Sequence, residues 1–231
     1  MRLHTYENGI GDRTALLIHG GMSDHRTWHA VEAHLIGLGY RVLGVDLRGH
    51  GRSPRGDYGV EALGQDLVDS LPTGADLAIG HSMGGLALSL AVDRLRPARA
   101  VYSDPAFAFA GIAEGTVQVM RETVAEATAE SIREMNPRWS EADIEAELAG
   151  FAAFDPAFFA VIEEASTGER LPKEPVVPSL VQLADPSFTI GAEDARLLAE
   201  RGFTVRTVEG AGHCVHRDDL PGFLSSLDGW L

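Results

Sequence analysis

The chain has 231 residues, 45% of them hydrophobic, a formal net charge of −15 and a single cysteine. Such a length and composition fit one globular domain with its own core. The acidity argues against a phosphate backbone or an anionic lipid surface as partner, and one cysteine excludes an internal disulfide.

From the N-terminus, "MRLHTYENG" contains no apolar signal-peptide core. No apolar run along the chain reaches the roughly 18 residues of a membrane span. The expectation is a soluble cytoplasmic protein with a small-molecule substrate and neither nucleic acid nor membrane as partner; nothing in the sequence indicates an oligomeric state. Short aliphatic and β-branched runs predict strands at 14–20, 41–47, 76–82, 98–104, 178–184 and 203–209. Between them, "HRTWHAVEAHLIGLG", "GVEALGQDLVDSL", "GGLALSLAVDRL" and "AEDARLLAERG" space their apolar residues as helices do, and "LPGFLSSLDGWL" closes the chain as a helix. Strands apolar on both faces and separated by helices predict an α/β fold with a mainly parallel sheet of about seven strands.

Residues 106–175 break this rhythm, with no strand candidate and several amphipathic helical stretches; Ser140 with Asp143 reads as a capped helix start. The expected organisation is a core from 1–105 and 176–231 with a helical cap, 106–175, over the edge of the sheet where open α/β folds bind ligands.

Residues 80–84, "GHSMG", follow a strand and open a helix. In that setting a G-x-S-x-G serine is held in a tight turn with its hydroxyl above the sheet, so Ser82 is the candidate nucleophile. Near the C-terminus, "EGAGHCVHRDD" offers His213 as general base, whereas His216 lies in what reads as a solvated charged stretch. His50 and His81 read as structural. An oxyanion hole would use the backbone N–H of Met83, after the serine, and that of Gly21 in "HGGMSD". No phosphate loop, dinucleotide fingerprint, metal cluster or other cofactor motif is present in the sequence.

Taken together, "HGG" at 19–21, "DLRGHGRS" at 46–53, "GHSMGG" at 80–85 and "GAGHCVHRD" at 210–218 resemble the α/β-hydrolase superfamily. The resemblance implies Ser–His–acid chemistry and a helical cap inserted after the strand that ends near Asp104. The superfamily's usual acid slot, counted along "PSLVQLADPS", falls on Ser187, which cannot stabilise an imidazolium. Two carboxylates stand in for it: Asp104, at the end of the preceding strand, and Asp185, two residues before the slot. Position favours Asp104, and Asp185 stays open. Asp46 reads as a residue that ties down its glycine-rich loop. Only 18 residues precede "HGG", room for about two short strands.

A serine nucleophile predicts hydrolysis of an apolar ester, thioester or lactone through an acyl-enzyme. Carbon–carbon bond hydrolysis or perhydrolysis on the same residues, and a ligand receptor on a hydrolase fold, are the alternatives. Aromatic residues of the inserted segment (Phe107, Phe109, Trp139, Phe151, Phe154, Phe158, Phe159) predict an apolar pocket roof, with Met22 and Trp28 on its floor. At least half of the seven are expected to pack helix against helix instead.

Overall fold

The computed structural model describes residues 1–108, 115–168 and 170–231. Seven strands form one sheet: β1 (Thr5–Asn8), β2 (Arg13–Ile18), β3 (Tyr40–Val45), β4 (Leu77–His81), β5 (Ala100–Ser103), β6 (Ser179–Leu183) and β7 (Thr204–Thr207). Their order is β1-β3-β2-β4-β5-β6-β7, with β1 antiparallel to β3 and every other pair parallel. Two of the strands, β1 and β2, precede "HGG", as expected. The expected strand spans overrun the paired ladders by one or two residues, because the chain leaves each ladder to enter a loop.

Alternation along each strand divides the core. Leu16 and Ile18 of β2 face one side and Ala15 and Leu17 the other. On the first side lie α2 (Val60–Ser70), α3 (Met83–Leu95) and α8 (Ala192–Glu200), through Leu63, Leu67, Leu86 and Leu198. On the second lie α1 (His29–Gly37) and α10 (Leu220–Ser226), through Val31, Leu35 and Phe223. Covering both faces in this way is what makes the central strands apolar throughout. No described helix is long and apolar enough to cross a membrane.

Between β5 and β6 the described residues form α4 (Thr116–Glu126), α5 (Ala129–Met135), α6 (Glu141–Ala153) and α7 (Phe159–Ser166). The helical run at 115–135 divides at Thr128, whose side chain caps α5 by accepting from Ser131 N. Ser140 and Asp143 form the reciprocal capping box that starts α6. Polar contacts fasten this segment to the sheet: Tyr58 donates to Asp155 at 2.7 Å, and His29 pairs with Asp143 at 3.0 Å.

The strand order reverses at β2 and β4, so the loops after these strands part and leave a crevice. Their approach is very close. A Cβ at Gly84 would lie 2.2 Å from the His19 carbonyl oxygen, and one at Gly80 would lie 2.5 Å from the Gly84 carbonyl oxygen. Gly84→Ala should therefore destabilise the fold by about 1–3 kcal/mol, the usual range for overpacking against backbone. Urea denaturation checks this; a loss below about 0.5 kcal/mol, within ordinary surface-substitution scatter, would show that the two loops can part freely.

Candidate active site

β4 ends at His81 and α3 begins at Met83, so Ser82 turns the chain alone, at φ 51° and ψ −118°. That left-handed φ is costly for a residue with a Cβ and is held by bonds on both sides. Ser82 N donates to Ser103 O at 3.0 Å, while Ser82 O accepts from Leu86 N and Ala106 N, both at 3.1 Å. The turn puts the serine at the N-terminus of α3, on the positive end of the helix dipole.

His213 lies in the loop between β7 and α9 (Val215–Asp218). Its Nδ1 is 2.6 Å from Asp104 Oδ2. A carboxylate at that distance accepts, so Nδ1 carries the proton and Nε2 is the ring nitrogen left for a second partner. Asp104 is fully buried at the end of β5, with φ 39°. It is fixed by Asp104 N donating to Gln182 O at 2.7 Å and by Oδ1 accepting from Ala184 N at 3.1 Å. Asp185 is elsewhere. Its Oδ2 accepts from Gly210 N at 3.1 Å, and its own N donates to Ala211 O at 2.8 Å, so it ties the loop after β6 to the loop after β7. Ser187 caps a turn, accepting from Ile190 N at 3.0 Å. The structure thus brings Asp104, and not Asp185, to His213.

The loop after β2 is held by two imidazoles. His19 Nδ1 donates to Gly20 O at 2.6 Å while its Nε2 accepts from Leu47 N at 2.9 Å. His50 Nδ1 donates to Arg48 O at 2.8 Å while its Nε2 accepts from Met22 N at 3.0 Å. Met22 N–H is thereby consumed, and Met22 sits at φ 64°. Among the described residues, no hydrogen bond within the chain takes up the N–H of Gly21 or of Met83. A Cβ at Gly20 would come within 2.8 Å of the His81 ring and 3.2 Å of Ser82 Cβ, which requires glycine there.

Ser82, His213, Gly21 and Met83 line one cavity of about 440 Å³. Met22 and Trp139 also line it, as expected, together with Phe151. Trp28 and Phe107 do not. Trp28 is buried, stacked on the His216 ring with centroids 4.2 Å apart, because its helical turn packs on α9 rather than facing the crevice. Phe107 is buried in the core against Tyr102, as the chain dives under the helices on leaving β5. Phe154, Phe158 and Phe159 pack on one another; Phe109 lies outside the described residues. His216 is not solvated but 3% exposed.

Among the wall residues that were not foreseen from the sequence, three matter most. Phe188 lies 4.4 Å from the His213 ring, centroid to centroid. Glu147 and Arg217 join across the cavity wall, Nη1 to Oε2, at 2.8 Å. Phe188 was findable as the one aromatic beside the vacant acid slot. The ion pair, formed between residues 70 apart, left no local signal.

Of the described residues, His4, His25 and Asp46 have side-chain ligand atoms all within 4.8 Å of one another. Both oxygens of Asp46 are engaged: Oδ1 accepts from His25 N and pairs with His25 Nδ1 at 2.7 Å, and Oδ2 accepts from Arg52 N at 2.9 Å and pairs with His4 Nδ1 at 3.2 Å. These bonds make Asp46 the anchor of its loop.

Ser82, at a strand–helix elbow of a mainly parallel sheet, thus shares a cavity with His213, which pairs with Asp104. The chain belongs to the alpha/beta hydrolase family, which it matches over residues 15–223. N-formylmaleamate deformylase of Pseudomonas putida KT2440 is 24% identical over all of this chain and 93% of its own length. The putative carbamate hydrolase RutD of Variovorax paradoxus is 35% identical over 43% of this chain, which spans 40% of that relative's length. Esterase YbfF of Escherichia coli K12 is 35% identical over 41% of the chain and 40% of its own. Among solved structures, a hydrolase from Oleispira antarctica superposes with a TM-score of 0.78 at 18% identity, covering 99% of this chain and 94% of its own. A serine-to-alanine variant of the N-formylmaleamic acid deformylase from a second P. putida strain gives 0.75 at 23%, covering 98% and 95%. At these identities the structural likeness is one of fold.

Four buried histidines near the site are held neutral. Burial lowers His19, His81 and His216 below the ordinary histidine value, and takes His50 down to about 3. Unfolded, each titrates near 6.5, so between the two values the unfolded chain binds the extra protons and stability falls as pH falls. His25 works the other way: burial lowers it, but the bond to Asp46 outweighs this and raises it, so its contribution is present at low pH and lost as pH rises through its folded value. At about 1.4 kcal/mol per pH unit for each group, four histidines outweigh one. The urea midpoint should thus drop as the pH is lowered from about 7.5 to about 5. A midpoint that is flat or rises over that range would contradict this balance.

Proposed function

We propose that the chain is a serine hydrolase that cleaves a mainly apolar small-molecule ester, thioester or lactone through an acyl-enzyme. The observation that carries this reading is the 2.6 Å contact of His213 with buried Asp104, in the cavity that also holds Ser82. In this reading His213 Nε2 takes the Ser82 Oγ proton as Oγ attacks the substrate carbonyl carbon. The carbonyl oxygen becomes an oxyanion and accepts from the N–H groups of Gly21 and Met83. The carbon–leaving-group bond breaks as His213 returns the proton to the leaving group. Water, deprotonated by the same nitrogen, then releases the acid and restores Ser82. Asp104 fixes the imidazole tautomer and stabilises its positive charge.

In this reading 106–175 is a cap on a core of 1–105 and 176–231, and the described helices of that segment furnish apolar wall residues such as Val119, Ile132 and Phe151. A lining of that kind suits an acyl or aryl group that must leave water to bind. The names of the relatives, an esterase, a deformylase and a putative carbamate hydrolase, support acyl-group chemistry in the broad sense.

Hydrolysis of p-nitrophenyl butyrate tests the assignments. Ser82→Ala and His213→Ala should each lower kcat by roughly 10³-fold or more, with circular dichroism unchanged. Asp104→Asn should cost on the order of 10³- to 10⁴-fold through the wrong tautomer, and Asp185→Asn less than about 10-fold. Activity retained in Ser82→Ala would overturn the reading. Greater damage from Asp185→Asn than from Asp104→Asn would reassign the acid.

A further inference from the structure

Among the described residues that line the cavity, Glu147 and Arg217 are the only acidic and basic side chains apart from the histidines. Glu147, on α6, lines it with a side chain 14% exposed, and Arg217, on α9, lines it with a side chain 2% exposed. The guanidinium is locked. Nη1 donates to Glu147 Oε2 at 2.8 Å, Nη2 donates to Cys214 Sγ at 3.1 Å, and its face lies over the Trp139 ring at 3.7 Å. Trp139 is fixed in turn by Nε1 donating to Asp218 Oδ1 at 2.9 Å. Only one carboxylate oxygen of Glu147 is used. Among the described residues Oε1 has no hydrogen-bond partner, although the side chain lies largely out of water.

An ion pair in an apolar wall is an expensive way to fill space, since hydrophobic residues of similar volume serve stability at least as well. A carboxylate oxygen left over beside a substrate cavity has a use if the substrate brings a donor to it. The charge of that donor follows from the neighbours. Arg217 already neutralises Glu147, and among the described residues no second carboxylate lines the cavity to pair with an ammonium. An uncharged N–H or O–H meets both conditions.

We propose that Glu147, braced by Arg217, is a specificity-determining residue that accepts a hydrogen bond from an uncharged donor, such as an amide N–H, on the acyl chain of the substrate. The substrate is then an ester whose acyl chain is apolar near the scissile carbonyl and carries an amide further along. This narrows the substrate class of the serine hydrolase reading and rests on it. A site built around a buried hydrogen-bonding group discriminates against analogues that lack the partner far more sharply than an apolar pocket discriminates by size.

The test uses three p-nitrophenyl esters of matched length: N-acetyl-4-aminobutyrate, 6-oxoheptanoate and heptanoate. The amide has a donor and an acceptor, the ketone an acceptor only, and the alkyl chain neither. The same trio is made with one methylene fewer and one more. At one spacer length or another, kcat/KM for the amide ester should exceed that for its ketone partner by about 10-fold or more, the scale of one good hydrogen bond. Glu147→Gln should reverse the order. Its carbonyl oxygen keeps the bond from Arg217, and its NH₂ turns the open position into a donor, which favours the ketone. A residue with only a structural role would lower all three substrates together. Equal kcat/KM for amide and ketone at every spacer, with Ser82-dependent turnover intact, overturns this inference and leaves the hydrolase reading standing. So does an unchanged preference in Glu147→Gln. Absence of Ser82-dependent turnover on all the esters overturns both.

Discussion

The loop after β2 and the start of α3 occupy nearly the same space, and much of the site follows from that constraint. Gly84 packs on the carbonyl oxygen of His19, and Gly20 packs on the His81 ring and the Cβ of Ser82. Such contacts admit no side chain at either position. Between them Ser82 sits in a left-handed turn, and Gly21 and Met83 line one cavity. Backbone strain of this kind persists only where the surroundings over-determine it, and here the ladder bond from Ser82 N to Ser103 O and the first turn of α3 do so.

The polar scaffold behind the cavity is built from neutral imidazoles. His19 and His50 each donate through one nitrogen and accept through the other, so each bridges two backbone groups that no side chain with donors alone could join. The bridges stay intact only while the rings stay uncharged, and burial ensures that. His81 extends the pattern, with Nε2 donating to the His213 carbonyl oxygen at 2.9 Å. The position of the His213 loop and the geometry of the loop after β2 therefore depend on the same kind of interaction.

What was legible in the sequence was what short-range chemistry dictates. The strand–Gly–x–Ser–x–Gly–helix arrangement and the glycine pair after β2 are local, and the six strand candidates from 14 onward each overlap a paired strand. The cap of α6 was legible because Ser140 and Asp143, three residues apart, bond reciprocally within one turn; the long-range bond between Asp143 and His29 was not. Placing Trp28 and His216 required knowing that α1 and α9, far apart in sequence, lie on one face of the sheet, where the two rings stack. "HRDD" looks solvated because its charges are written side by side; the fold buries Arg217 against Glu147, and Asp218 accepts from Trp139. Phe107 failed as a roof residue for a related reason. It directly follows the edge of the sheet, and the chain there turns inward before the helices begin.

Asp104 and Ser82 leave adjacent strands. The ladder pairs His81 with Ser103, the residue before each, so sheet hydrogen bonds hold the carboxylate and the hydroxyl to a common rigid frame. The loop after β6 supports the pair at its root, where Ala184 N donates to Asp104 Oδ1 and Asp185 bridges Gly210 and Ala211, and beyond that it brings Phe188, an apolar wall residue, to the His213 ring. In an arrangement with the acid on that loop, any change in its length would displace the imidazole. Here the loop can lengthen, shorten or exchange side chains between Asp185 and Ile190 while the histidine–carboxylate pair keeps its register. The cavity wall at Phe188 thus becomes free to diversify independently of the His213–Asp104 pair it adjoins, a modularity that follows from the carboxylate leaving β5 and not the loop after β6.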